Sequence, residues 1–354
     1  MKKEKTKKFI SIIWGYSPHM YSFAPEENYH LHAIKVAKDM GFKTYAIVGG
    51  SRLDMENDPH FDKLTEVLEY KNFLNFLYQI LKFSFQGGVF YVNSYEWQSF
   101  VVPFLARKTI FMAHTQPKRQ TRIKQLIQNF VYNFYSAIRL NNETEKEFLL
   151  KEGTKGIKLF VVPLVVSQDV FKLEETGVER RDLVCFGNVT EKKNILTVLK
   201  AFELIKSKYP LIKINIIGKI FDTRVIDFIE ASEFKKDFIL QGFLPNKELV
   251  MSLNKNLIYI NSSFDEGQCV AVYDAALCGC VLCLPNIMSF KDVFKNSSLI
   301  HEVNGYKQIA LNIEYYIKNP SVVAVYRQKN IDMIEQNYSI QSVEKGLIKL
   351  ISNV

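Results

Sequence analysis

One rhythm constrains this chain more than any other feature: short β-rich runs alternate with amphipathic stretches, and the pattern is played twice. In the first half FISIIW is followed by a helix-like segment from Glu27 to Met40, then by KTYAIVGG, GVFYVN, TIFMAH and KLFVVP. In the second half LVCFG, IKINIIG, DFILQG, LIYINS, CVLCLP and SLIH are separated by periodic segments such as Asn194 to Lys208. Strands alternating with helices predict parallel sheets covered on both faces, so the expected class is α/β with two doubly wound sheets.

The length of 354 residues suits two domains. The first is placed at 1–168. A linker follows at 169–181, inside a stretch from Val165 to Arg181 that is rich in charge and poor in apolar periodicity. The second domain is placed at 182–337. Residues 338–354 hold a helix whose Val343, Leu347, Ile348, Leu350 and Ile351 make one sticky side, expected to pack back on the first domain. An apolar fraction of 47% with 23% charge excludes a disordered chain or a coiled coil. No short-period repeat supports a solenoid.

The net charge of +9 biases the chain toward anionic partners without choosing among them. Four of the five cysteines (Cys185, Cys269, Cys278, Cys280, Cys283) crowd into fifteen residues, yet Cys280 and Cys283 fall in CVLCLP, which reads as a buried strand. Buried, reduced thiols are therefore expected rather than a metal site, and they fit a cytoplasmic compartment. The opening MKKEKTKKFISIIWGYS has an apolar run at the lower limit for a secretory signal, and no small-residue cleavage site follows, so it reads as a basic tail entering the first strand. No stretch reaches the ~20 apolar residues of a membrane span, so any membrane contact would be peripheral.

Ligands of open parallel sheets bind beyond the C-terminal strand ends. After LVCFG comes NVTEKKN, a polar turn before a helix, where Lys192, Lys193 and backbone amides can face a diphosphate. After LIYINS comes SFDEGQCVAVYDAALCGC, with Glu266 and Asp274 flanking seven residues. A helix starting near Gly267 would put Glu266 at its mouth and Asp274 two turns along. Carboxylates suit sugar and ribose hydroxyls because they accept paired, charge-assisted hydrogen bonds. Acids near a helix start are also favoured by the dipole alone, by about 0.3–1 kcal/mol.

The stretch EGQCVAVYDAALCGCVL resembles the E-x7-E signature of family 4 glycosyltransferases. FGNVTEKKNILTVLKAFELI, INIIGK and LQGFLPNKELVMSLNKNLIYINSSFDEG are similar to that family's flanking segments, so about Leu183 to Ile317 is covered in register. The first half resembles the family more loosely, through a basic helix after TIFMAHTQ, then IRLNNETEKEFLLKEG and VVPLVVSQDVF. The resemblance implies GT-B architecture, two Rossmann-like domains facing a central cleft. It implies a retaining, metal-independent hexosyltransferase without cofactor. The donor, a UDP- or GDP-sugar, would sit on the C-terminal domain and a glycan or lipid-linked acceptor on the N-terminal one.

Position by position, the resemblance gives Lys193 the donor diphosphate, Glu266 the donor sugar and Asp274 the ribose. Backbone amides around Gly267, Gln268, Cys269 and Val270 complete the contacts. His114, closing a strand, would lie near the transferred sugar; its other reading is a hydrogen-bonded core histidine. Gly15 and Tyr16 begin a loop that can bring backbone to donor phosphates or acceptor, and His30 and His32 follow it. Two positions depart from the pattern. Asn188 stands where the family usually has Arg, removing one cation from the leaving diphosphate, and Asp274 replaces Glu.

From Trp97 to Asn142 there are seven basic residues and no acidic one. Within it Ile123, Leu126, Ile127, Phe130, Val131, Phe134 and Ile138 recur at helical spacing, which predicts a buried apolar face under a solvated basic one. The other reading is a patch for anionic membrane or acceptor. A dinucleotide G-x-G-x-x-G and a P-loop are both lacking, and the aromatic-basic interleaving of nucleic-acid modules is not evident. A GT-B protein that binds nucleotide sugar or a partner without catalysis remains the competing class, with a GT-B epimerase or phosphorylase behind it.

Overall fold

The computed structural model describes residues 6–14, 25, 28–49, 60–93, 97–113, 122–154, 156–174, 177 and 179–354. Two compact units emerge, one of residues 1–165 with 340–354 and one of residues 166–339. The first unit holds strands β1 (Lys8–Trp14), β2 (Lys43–Gly49), β3 (Glu66–Glu69), β4 (Val89–Asn93), β5 (Thr109–Met112), β6 (Ala137–Leu140) and β7 (Lys158–Val161). Its helices are α1 (His32–Asp39), α2 (Phe61–Leu64), α3 (Phe73–Phe85), α4 (Gln98–Leu105), α5 (Arg122–Tyr132) and α6 (Glu143–Lys151). The second unit holds β8 (Asp182–Phe186), β9 (Ile214–Ile217), β10 (Phe238–Gly242), β11 (Asn256–Ile260), β12 (Val281–Pro285) and β13 (Ser298–His301). Its helices are α7 (Ile195–Lys206), α8 (Arg224–Ala231), α9 (Asn246–Leu253), α10 (Val270–Leu277), α11 (Tyr306–Lys318) and α12 (Pro320–Asn337). A last helix, α13 (Ile340–Ser352), belongs to the first unit.

Both sheets are parallel, in the orders β3-β2-β1-β4-β5-β6-β7 and β10-β9-β8-β11-β12-β13. Interior strands such as β4 and β12 are buried along their whole length, as strands covered on both faces must be, whereas edge strands β3 and β7 are half exposed. In each unit the strand order reverses once, between β1 and β4 and between β8 and β11. Those are the switch points beside which open parallel sheets bind their ligands.

Two strands have no counterpart in the sequence reading. β3 reads EVLE, with acids at both ends, and β6 reads AIRL, with Arg139 in its middle. Arg139 is 1% exposed; its guanidinium donates to the Val162 and Pro163 carbonyls (2.7 Å each) and to the Tyr91 hydroxyl (2.9 Å). The segment read as a linker, 169–181, is docked on the second unit: Phe171 is buried in its core, and Arg180 donates to Asn254 Oδ1 (2.7 Å) and the Cys278 carbonyl (2.8 Å). In α13, Val343, Leu347, Leu350 and Ile351 are buried in the first unit's core, while Ile348 is exposed.

The expected burial of the α5 apolar face is overturned. Ile123, Leu126, Ile127, Phe130 and Phe134 are 44–70% exposed, whereas Gln128, Asn129, Val131 and Tyr132 point inward and Ile138 lies in β6. The register of the helix on the sheet turns the polar Gln128–Asn129 pair to the core, so periodicity identified the helix but not which face is covered. No helix among the described residues is long and apolar enough to cross a membrane.

His30 and His32 are core residues, 2% exposed. Burial, then the nearby charges of Arg139 and Lys35, push the His32 imidazole down to about 3. In the unfolded chain it protonates near 6.5, so the folded state binds fewer protons between these values and stability falls as the pH drops through this window. The wild-type unfolding free energy is expected to fall by about 1.1 kcal/mol per pH unit more than that of His32→Gln between pH 6.5 and 5. Denaturant titrations of both proteins check this; parallel curves would refute it.

Candidate active site

The second unit's switch point is built by two loops, 187–194 after β8 and 261–269 after β11. Close backbone packing sets the first. Gly187 (φ +117°) and Gly218 (φ +133°) lie against each other, and a Cβ on Gly218 would stand 2.1 Å from the Gly187 carbonyl oxygen. Only glycine fits both the backbone angle and the approach. The loop then forms a 3-10 turn at Glu191–Lys193, and Asn194 takes a left-handed conformation (φ 52°) before α7 begins.

Polar side chains sew the two loops together. Ser262 Oγ lies 2.8 Å from the Asn194 carbonyl, Asn194 Nδ2 donates to the Ser262 carbonyl (3.2 Å) and to Asn304 Oδ1 (3.0 Å), and the Phe264 amide donates to the Lys192 carbonyl (3.0 Å). His301, 2% exposed, brings Nε2 to 2.9 Å from the Asn261 carbonyl. Neither Ser262, Ser263, Asn261, Ser289, Asn304 nor His301 was singled out from the sequence. The only local signal was NSS, a run of small polar residues directly after a buried strand.

This clamp brings Lys193 and Glu266 into contact. Lys193 Nζ donates to Glu266 Oε1 at 2.5 Å, and Ser263 Oγ donates to the same oxygen at 2.7 Å. Ser289 Oγ fixes the Glu266 backbone by donating to its carbonyl at 2.5 Å. Glu266 is 7% exposed, and no hydrogen bond from a described residue falls on its Oε2. Burial works against the Lys193 ammonium, but facing Cys269 and Glu266 more than offset it and raise its pKa. The Cys269 thiol is itself pushed up to about 12, by burial and then by the Glu266 carboxylate, so at neutral pH it is uncharged and Glu266 is what holds the ammonium. Lys192 makes a longer ion pair with Asp265, at 3.9 Å.

The second helix starts later than the sequence suggested. Cys269 sits in the left-handed region (φ 51°) and α10 begins at Val270, not near Gly267. Glu266 therefore belongs to the loop and Asp274 to the second turn of α10, 8% exposed and close enough for its charge to raise the Cys269 thiol as well. Gln268 is buried and Gly267 half-buried beside them. Asn188 is exposed and lines, with Gly187, Lys193 and Ser263, a small cavity between the loops. His114, Gly15 and Tyr16 lie outside the described residues. The five cysteines form no disulfide, and all but the half-buried Cys269 are buried.

Residues 168–340 match the model of the family described as glycosyl transferases group 1. A comparison with curated protein sequences finds no match. The whole chain is similar in structure to HepE of Anabaena in complex with UDP, at 13% identity, covering 99% of this chain and 100% of that one with a TM-score of 0.80. It is similar to a sucrose-phosphate synthase of Thermosynechococcus elongatus at 9% identity, covering 98% of each chain (TM-score 0.76). A glycosyltransferase of Rickettsia africae is similar at 14% identity, covering 99% of this chain and 98% of that one (TM-score 0.75). The chain therefore has the GT-B glycosyltransferase fold, and its second unit carries the group 1 glycosyltransferase pattern.

Proposed function

We propose that the chain is a retaining glycosyltransferase of the E-x7-E type, taking a hexose from a nucleoside-diphosphate sugar without a metal ion. The observation that carries this reading is the 2.5 Å contact between Lys193 and Glu266 at the switch point. A cation and a carboxylate converge where a parallel sheet binds its ligand. The Lys193 ammonium meets the diphosphate and neutralises the charge that grows as the sugar leaves. Glu266 is oriented by Ser263 and Ser289 and offers Oε2 to sugar hydroxyls. Asp274 serves the ribose from α10. Uracil is the favoured base, because HepE of Anabaena is seen with UDP and with UDP-glucose. His114, Gly15 and Tyr16 remain candidates for the acceptor side. The place of work is the cytoplasm, with a glycan or lipid-linked acceptor.

Incubation with a panel of UDP- and GDP-sugars tests the reading. Slow release of nucleoside diphosphate from one donor is expected, and binding without hydrolysis or transfer would overturn it. That second outcome is the reading favoured by Asn188, which supplies no cation where the family pattern has Arg. Asn188→Arg is expected to tighten donor binding by about tenfold, the value of one added charge-assisted contact. Calorimetric titration of UDP checks this, and an unchanged affinity would mean that another cation already fills the place.

A further inference from the structure

Helix α5 is built inside out. Its apolar Ile123, Leu126 and Phe130 are 61–70% exposed, while Gln128 and Asn129 are at most 7% exposed. The apolar face does not stop at the helix. Phe134 stacks on Phe130 (5.1 Å) and on Phe104 of α4 (4.6 Å). A groove of about 540 Å³ then runs from Phe104 to Leu81 and Phe85 of α3, with Arg107 at its edge. Phe85 is 89% and Leu74 74% exposed on the same helix. Eleven of the 25 exposed large apolar side chains among the described residues lie on these three neighbouring helices, with Trp97 and Phe134 just beyond their ends. Continuous apolar surface of this kind marks a docking site.

Charge selects the occupant. Residues 71–142 carry nine basic residues, of which Arg139 is buried in the core, and one acidic residue, Glu96. Lys71, Lys82, Arg107 and Lys108 are exposed among the apolar side chains. Two copies of such a face would repel one another, whereas an anionic surface is attracted to it. We propose that the outer faces of α3, α4 and α5 dock on an anionic lipid bilayer. The aromatic and aliphatic side chains enter the acyl boundary, and the long basic side chains reach back to the headgroups.

Flotation of the full chain with phosphatidylcholine vesicles, with and without phosphatidylglycerol, tests this. The protein is expected to float with the anionic vesicles only, and less so as salt is raised. Leu126→Glu/Phe130→Glu is expected to lower partitioning by at least about tenfold with an unchanged unfolding midpoint, since each side chain loses burial in lipid and not in the core. Arg107→Glu/Lys108→Glu lowers it independently. Ile348→Glu, exposed on α13, floats as wild type. Absence of flotation with anionic vesicles, equal flotation of wild type and both double variants, or a solution dimer that Leu126→Glu/Phe130→Glu dissociates would overturn the proposal.

Discussion

Glu266→Ala is expected to lower donor hydrolysis and sugar transfer by about 100- to 1,000-fold, the usual cost of removing one preorganised polar contact to a transition state. The loss should fall mainly on kcat. In the proposed reading Glu266 meets the sugar at the reacting end, where geometry changes most, and the nucleotide is held by other groups. Glu266→Gln should recover only part of the activity, because it keeps the shape and the hydrogen bond from Ser263 but loses the charge facing Lys193. Steady-state kinetics of both variants with the best donor of the panel check this. Activity within threefold of wild type in Glu266→Ala would remove the residue from the reacting centre.

Lys193→Met is the second large effect, with a different signature. In the proposed reading the diphosphate loses its facing cation, and Glu266, 7% exposed, loses the ammonium that compensates its charge. A drop of about 100-fold or more in kcat/KM is expected, with donor affinity itself weakened. The stability cost should stay below the ~3–5 kcal/mol of breaking a fully buried pair, because the Lys193 side chain is 24% exposed. UDP titration alongside thermal unfolding separates the two effects; wild-type UDP affinity in a folded variant would refute the assignment. The pH dependence follows from the raised Lys193 pKa. The ion pair contributes fully below the ordinary lysine value near 10.4 and is lost only as the pH climbs through the higher folded value. Donor affinity should therefore carry no Lys193 titration between pH 6 and 9.

Most of this architecture was legible because interior parallel strands must be apolar on both faces, which leaves runs such as LVCFG and CVLCLP plain in the sequence. β3 and β6 escaped for the same reason inverted: glutamates at an open edge, and a buried Arg139 satisfied by carbonyls that no local pattern announces. That Lys193 and Glu266 would meet was legible because both follow strands and the switch-point rule says which loops matter. Their clamp was not. Asn194, Ser262 and His301 act across separations of 40 to 68 residues through backbone carbonyls that any sequence possesses, and Asn194 also reaches the Asn304 side chain 110 residues away. The start of α10 was misplaced because Cys269 adopts a left-handed conformation costing about 1–2 kcal/mol, which composition does not foretell. The orientation of α5 depended on what surrounds the helix and not on its own periodicity.

The return of α13 to the first unit sets an order of events during synthesis. The second unit is one continuous segment and can close as soon as it has left the ribosome, whereas the first waits for Val343, Leu347, Leu350 and Ile351 to cover Phe9, Ile34 and their neighbours. Until translation reaches those positions the earlier-made half keeps a bare greasy flank, the kind of exposure that makes nascent chains prone to aggregate, even though that half emerges first.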